Sequence, residues 1–143
     1  MKTEFRKAIL PREIGALLAF DRKIFPAADR FDAAYWKNCE SYWLIVGNAK
    51  AGCCAFEKHV DFHDSAGDAP RRRGSLYIAT TGILPRFQNQ GFGALLKSWE
   101  IAYARYHGFN RVITNCRKRN ARKDPIGNAS RYRLVLSPQD WPL

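Results

Sequence analysis

The sequence predicts an α+β domain of the α/β type, with a mixed, mostly antiparallel sheet flanked by helices. Three observations carry this expectation. Residues 75–116 read as strand, helix, strand with a short crossover, which requires one parallel pair. Residues 41–60 read as two β-prone runs around a tight turn, an antiparallel hairpin. Apolar residues at helical spacing follow Pro11 near the N-terminus.

Taken in order, "FRKAIL" (5–10) is a short first strand. Pro11 opens an amphipathic helix through Ile14, Leu17, Leu18 and Ile24. The stretch 24–39 breaks at Pro26 and gives a loop and a second short helix carrying Phe31, Tyr35 and Trp36. "SYWLIVG" (41–47) and "AGCCAFEKHV" (51–60) are strands, with "NAK" as the turn. Residues 61–74 are a polar loop without apolar periodicity. "SLYIATTGIL" (75–84) is a third long strand. Leu95, Leu96, Trp99, Ala102, Tyr103 and Tyr106 then recur at three and four residues, one face of a helix that Gly108 can cap. "NRVITNC" (110–116) is the next strand.

At 143 residues the chain is one domain, 1–143, and its 46% hydrophobic content supports a packed core. No window approaches a membrane-spanning run, and the charges in "MKTEFRKAIL" interrupt any signal peptide. A cytoplasmic address and no membrane partner are the expectation. Cys39, Cys53, Cys54 and Cys116 show no metal-ligand spacing and read as reduced packing residues. The net charge of +11 is unevenly placed: residues 1–70 hold 10 basic and 10 acidic side chains, residues 71–143 hold 14 and 3. An anionic partner should therefore meet the second half.

The junction "ILPRFQNQGFGALLKSW" (83–99) puts three amides and two glycines where strand turns into helix. The first turn of a helix has N–H groups with no internal acceptor and a partial positive charge, so it binds phosphate when side chains leave room. Gly91 and Gly93 would leave that room, and Gln88, Asn89 and Gln90 add donors. The spacing is neither a P-loop nor a dinucleotide fingerprint. Two readings stand: a tight turn containing glycines, or a cradle for pyrophosphate.

Gln88-Asn89-Gln90-Gly91-Phe92-Gly93 resembles the Gln/Arg-x-x-Gly-x-Gly/Ala signature of the GNAT N-acetyltransferase superfamily. The setting is similar too: an apolar strand ending Ile83-Leu84-Pro85, then Arg86-Phe87, the signature, and a helix. The resemblance covers about residues 5–122 and implies a GNAT-like acyl-CoA N-acyltransferase fold with an atypical or shortened C-terminal part. It implies an enzyme that uses acetyl-CoA as cosubstrate to acetylate a primary amine, by direct attack in a ternary complex. The main chain from Gln88 through Ala94, including Phe92, would wrap the pyrophosphate. Ile83 and Leu84 would meet the pantetheine arm, the N–H of Ile83 polarising the thioester carbonyl. Asn120 would begin the segment that follows the fifth strand in this superfamily. Arg86, Arg117, Lys118, Arg119 and Arg122 are candidates for the cofactor's phosphates.

The proton-transfer residues depart from the superfamily pattern. Between Ser75 and Leu84 there is no Asp, Glu or His, only Ser75, Tyr77, Thr80 and Thr81 as polar groups. Glu57 on the neighbouring hairpin strand is the nearest carboxylate and the candidate general base. Tyr132, by elimination, is the candidate acid, although "RYRLVLS" reads as a strand. Residues 123–143 lose the helical pattern at Pro125 and Gly127, so the tail is atypical. A shortened sheet would leave an edge open to a second copy of the chain, a homodimer.

Other features weigh less. His59 and His63 stand four apart, but on a strand end running into a loop that spacing builds no shared face, and no metal is expected. Phe31, Tyr35, Trp36, Tyr42 and Trp43 would line an acceptor pocket or fill the core. A non-catalytic CoA-binding module is the alternative function. A basic nucleic-acid-binding domain using 71–73 and 117–123 ranks lower, since it leaves the glycine junction unexplained.

Overall fold

The computed structural model describes residues 2–58, 73–117 and 131–136. Six strands form one sheet in the order β1-β2-β3-β4-β5-β6: β1 (Thr3–Lys7), β2 (Cys39–Val46), β3 (Ala49–Glu57), β4 (Arg73–Ile83), β5 (Phe109–Arg117) and β6 (Arg131–Leu136). Every neighbouring pair is antiparallel except β4 with β5, as the helical crossover between them dictates. The helices are α1 (Ile14–Ile24), α2 (Ala33–Lys37) and α3 (Phe92–Tyr106).

The expected elements are present with shifted ends. β1 begins two residues earlier than its apolar run and ends at Lys7. The hairpin turns at Gly47 (φ +63°) and Asn48, so Ala49 and Lys50 already belong to β3. Phe31 precedes α2 and packs on Tyr35 and Trp36, while Asp32 caps the helix by accepting from the Tyr35 N–H at 2.8 Å. β6 realises the strand expected from "RYRLVLS". The polar run containing His59, His63, Arg71 and Arg72 lies outside the described residues. So do Lys118, Arg119, Asn120, Arg122 and the rest of 118–130.

The two sheet faces bury separate cores. α3 covers Leu44, Phe56, Leu76, Ile78 and Val112 with Leu96, Ile101 and Tyr103. α1 and α2 cover Trp43, Ile45, Cys53 and Ala55 with Leu17, Phe20 and Trp36. Trp36 and Trp43 are therefore core, and Tyr42 stacks among Phe56, Trp99 and Tyr103 under α3. Of the five aromatics expected to line a pocket or fill the core, Phe31, Tyr35 and Tyr42 stay partly exposed. The thiols of Cys39, Cys53 and Cys54 are free and buried, and burial raises the pKa of each, that of Cys39 to about 12. That is how packing cysteines behave. No helix of the described residues is long and apolar enough to cross a membrane.

Candidate acyl-donor site

β4 and β5 run side by side only to Ile78 and Thr114. At the next residue the register of β4 against β3 shifts, leaving Ala79 as an extra residue, a β-bulge. A bulge bends its strand and raises the local twist, and here it coincides with the point where β5 departs. From Ala79 to Ile83, β4 has β3 on one side and no strand partner on the other among the described residues. The sheet is forked.

The bulge also changes which face each β4 residue meets. Leu76 and Ile78 lie under α3 before it, and Thr81 and Ile83 lie under α3 after it. Leu84 donates its N–H to Ala51 O at 2.8 Å, so Ile83, opposite Gly52, is in a non-hydrogen-bonded pair. The N–H and C=O of Ile83 thus point away from β3, into the fork, as do those of Thr81 two residues back. Gly52 permits this close pairing: a Cβ there would stand 2.7 Å from Ile83 Cδ1.

Beyond the fork the chain makes a 3-10 turn at Pro85–Phe87 and enters α3 through Asn89 (φ +62°) and Gly91 (φ +89°). Gly91 is the N-cap in the left-handed region, where glycine carries no steric cost. No side chain caps α3 and no acidic residue occupies its first turn. The first helical bond runs from Leu95 N to Gly91 O, leaving the N–H groups of Phe92, Gly93 and Ala94 ahead of it without intrahelical acceptors. A Cβ on Gly91 or Gly93 would meet nothing within 4 Å. Gly93 is helical, and no contact among the described residues requires glycine there.

The amides divide their work differently from expectation. Gln88 Nε2 donates to Ile83 O at 2.9 Å, and Gln90 Nε2 donates to Arg86 O at 2.8 Å. Both side chains brace the loop, so the donors that remain for an anion are chiefly main-chain. Arg86 lies over the Phe87 ring at 4.4 Å, which turns its guanidinium toward the loop's own aromatic.

On the α1/α2 side, Glu57 ends β3 opposite Cys39 and accepts from Tyr35 Oη at 2.5 Å. Burial, then the adjacent Glu57 carboxylate, raises the Tyr35 pKa far above the ordinary phenol value, so Tyr35 stays a donor. Phe56 pairs with Ile78, which sets Glu57 one residue below the fork. Tyr132 sits on β6 opposite Cys116, on the wing that leaves β4.

One carboxyl escaped the sequence reading. Glu100 on α3 is fully buried against β4, and its Oε2 accepts from Thr81 Oγ1 at 2.5 Å. Lys97 Nζ lies 3.4 Å from Oε1, yet no hydrogen bond is aligned on that atom. Burial pushes this carboxyl's pKa up, opposed by Lys97 and Thr81. The signal was available: Glu100 stands four after Leu96 and three before Tyr103, inside the apolar stripe. Among the described residues no group of three or more His, Cys, Asp or Glu is arranged to hold a metal.

Solved structures with this fold are numerous. The ribosomal-protein-S18-alanine N-acetyltransferase from Escherichia coli superposes with a TM-score of 0.63 at 12% identity, over 89% of this chain and 75% of that one. The loading GNATL domain of CurA from Lyngbya majuscula gives 0.66 at 16%, over 86% and 69%. A GNAT family acetyltransferase from Elizabethkingia anophelis with acetyl-CoA bound gives 0.57 at 15%, over 88% and 72%. At these identities the likeness is one of fold. A comparison with curated protein sequences finds no match. The family profile described as Acetyltransferase (GNAT) family matches residues 13–124, most of the chain. A forked sheet leading to a glycine-bared helix end thus sits inside the matched part of the sequence, and the chain belongs to the GNAT acetyltransferase family.

Proposed function

We propose that the protein is an acetyl-CoA-dependent N-acetyltransferase that acetylates a primary amine in a ternary complex. The observation that carries this reading is the uncapped start of α3, with open space at Gly91 and Gly93, adjoining the open edge of β4. Main-chain N–H groups from Gln88 through Ala94 would take the pyrophosphate, with the helix macrodipole adding to them. The edge at Ile83 and Leu84 would meet the pantetheine arm, and the Ile83 N–H is the donor available to a carbonyl oxygen, the Ile83 C=O being taken by Gln88. Acetyl-CoA supplies an activated acyl thioester. Glu57 would take the proton from the incoming amine, oriented by Tyr35, and Tyr132 is the nominee for returning a proton. Asn120 and the basic residues around it would add contacts to the donor.

A specific observation favours a second reading, a CoA-binding module without catalysis. β4 carries no carboxylate at the fork, Glu57 is already engaged by Tyr35, and Glu100 is sealed in the core.

Calorimetry with acetyl-CoA tests both readings, since no binding at millimolar cofactor removes them together. Given binding, thiol release across a panel of primary amines separates enzyme from module. Glu57→Gln should then lower kcat by about a hundredfold with KM for acetyl-CoA unchanged. An unchanged kcat would remove Glu57 as the base.

A further inference from the structure

A fully buried carboxyl is costly unless its partners compensate, and Glu100 has an aligned hydrogen bond on one oxygen only, the other facing Lys97 Nζ at 3.4 Å. Its position belongs to the apolar stripe of α3, where a leucine would pack without that cost. What Glu100 does hold is specific. Its partner Thr81 is the second residue beyond the bulge, on the stretch of β4 whose main chain faces the fork. On the other side Thr81 pairs with Cys54, whose thiol is buried in the same core. The strand there lacks the lateral support that β5 gives it up to Ile78. Beside the Gln88 amide at Ile83 O, the hydrogen bond from Thr81 Oγ1 to Glu100 therefore holds from above a segment that has a ladder on one side only.

We propose that Glu100 is a positioning residue: through Thr81 it holds the open edge of β4 in the conformation that receives the acyl donor's pantetheine arm. The inference rests on the acyl-CoA reading of the fork, and it assigns a role to a residue that touches neither donor nor acceptor. Acceptance of the Thr81 proton is the property required, so Gln at this position should serve and Leu should not.

The test combines thermal melting, calorimetry with CoA, and steady-state kinetics on the wild type and on Glu100→Leu, Glu100→Gln and Thr81→Val. The Thr81→Val/Glu100→Leu double variant should melt at or above the wild type, because both partners of the buried hydrogen bond give way to apolar groups. Glu100→Leu should bind CoA about tenfold more weakly and show a KM for acetyl-CoA raised by about as much, with kcat changed less. Glu100→Gln should restore most of that affinity. Thr81→Val should reproduce the loss, and the Thr81→Val/Glu100→Leu double variant should be no worse than either single one. Wild-type affinity in Glu100→Leu overturns the proposal. So does a loss of affinity that tracks a lowered melting temperature and is not rescued by Gln, since that pattern is a packing defect. A wild type that does not bind CoA removes the acyl-CoA reading itself. That outcome is distinct from equal CoA binding by the wild type and the Glu100→Leu variant.

Discussion

Two helices of this protein start after a proline turn, and they treat their positive ends in opposite ways. At the start of α1, Glu13 supplies the chain's own carboxylate. It accepts from the Ile9 N–H at 2.6 Å and from Trp43 Nε1 at 3.0 Å, and Lys50 lies 3.4 Å away. At the start of α3 the first turn holds no acidic residue, the N-cap is a glycine, and the side-chain amides of Gln88 and Gln90 are turned back onto carbonyls. Neither helix has a side-chain cap, but one end carries the chain's own carboxylate at its N-cap residue and the other is bare, where the proposed donor's phosphates would bind. A helix N-terminus is structural or functional according to who supplies the negative charge.

Giving α3 what α1 has should produce the largest effect. Gly91→Glu puts charge in the cradle and a side chain at φ +89°, and should weaken CoA binding by at least about a hundredfold in calorimetry. Undiminished affinity would mean that the phosphates sit elsewhere.

Removing the charge from α1 should cost stability and leave CoA affinity alone. Folding lowers the Glu13 pKa below its usual 4.5, chiefly through the Ile9 N–H. Stability gained this way is present above the unfolded value and lost as pH falls through the folded one. Glu13→Gln should thus be less stable by about 1 to 2 kcal/mol at pH 7, the gap closing below pH 4.5 in denaturant titrations.

Glu100 should slope the other way. Burial raises its pKa, opposed by Lys97 on its own helix and Thr81 from β4, while the carboxylate in turn adds to burial in raising the thiol pKa of Cys53 and Cys54 on β3. The folded state then favours the protonated form, and wild-type stability falls as pH rises through the folded pKa. The stability of Glu100→Leu relative to the wild type should accordingly be least below pH 4.5 and grow toward neutrality. Parallel slopes for the two carboxyls would break the comparison.

The smallest effect belongs to Gly93. Alanine fits sterically and is the better helix former, so Gly93→Ala should gain about 0.5 to 1 kcal/mol in stability. It should also weaken CoA binding severalfold. Gain without that loss would make the glycine incidental.

The sequence foretold the parts of the site that are local and repetitive. Gly91 and Gly93 at fixed spacing after "ILP" announce a bared helix end, because a backbone site needs particular residues at consecutive positions. The hairpin and the β6 run were legible from β-prone composition, and the long α3 stripe from its periodicity. Tertiary pairing was not. The bulge at Ala79 is an alanine in an apolar run and has no local signature. The engagement of Glu57 by Tyr35 joins residues 22 apart in different elements. Gln88 and Gln90 looked like phosphate donors because sequence reveals what a side chain can donate and not which carbonyl it meets first. Glu100 was readable as a charge in an apolar stripe, but it lies on α3, beyond the strand where a carboxylate was expected.

The extra residue in β4 has a consequence of its own. Leu76 and Ile78 face α3 before Ala79, Thr81 and Ile83 face it after, and Phe56 and Ala55 pair on either side of the jump. Taking Ala79 out would leave every flanking side chain on its present face, so the core would survive. It would take away the bend that stands where β5 departs. One extra residue thus marks the place where a continuous sheet becomes a sheet with a slot.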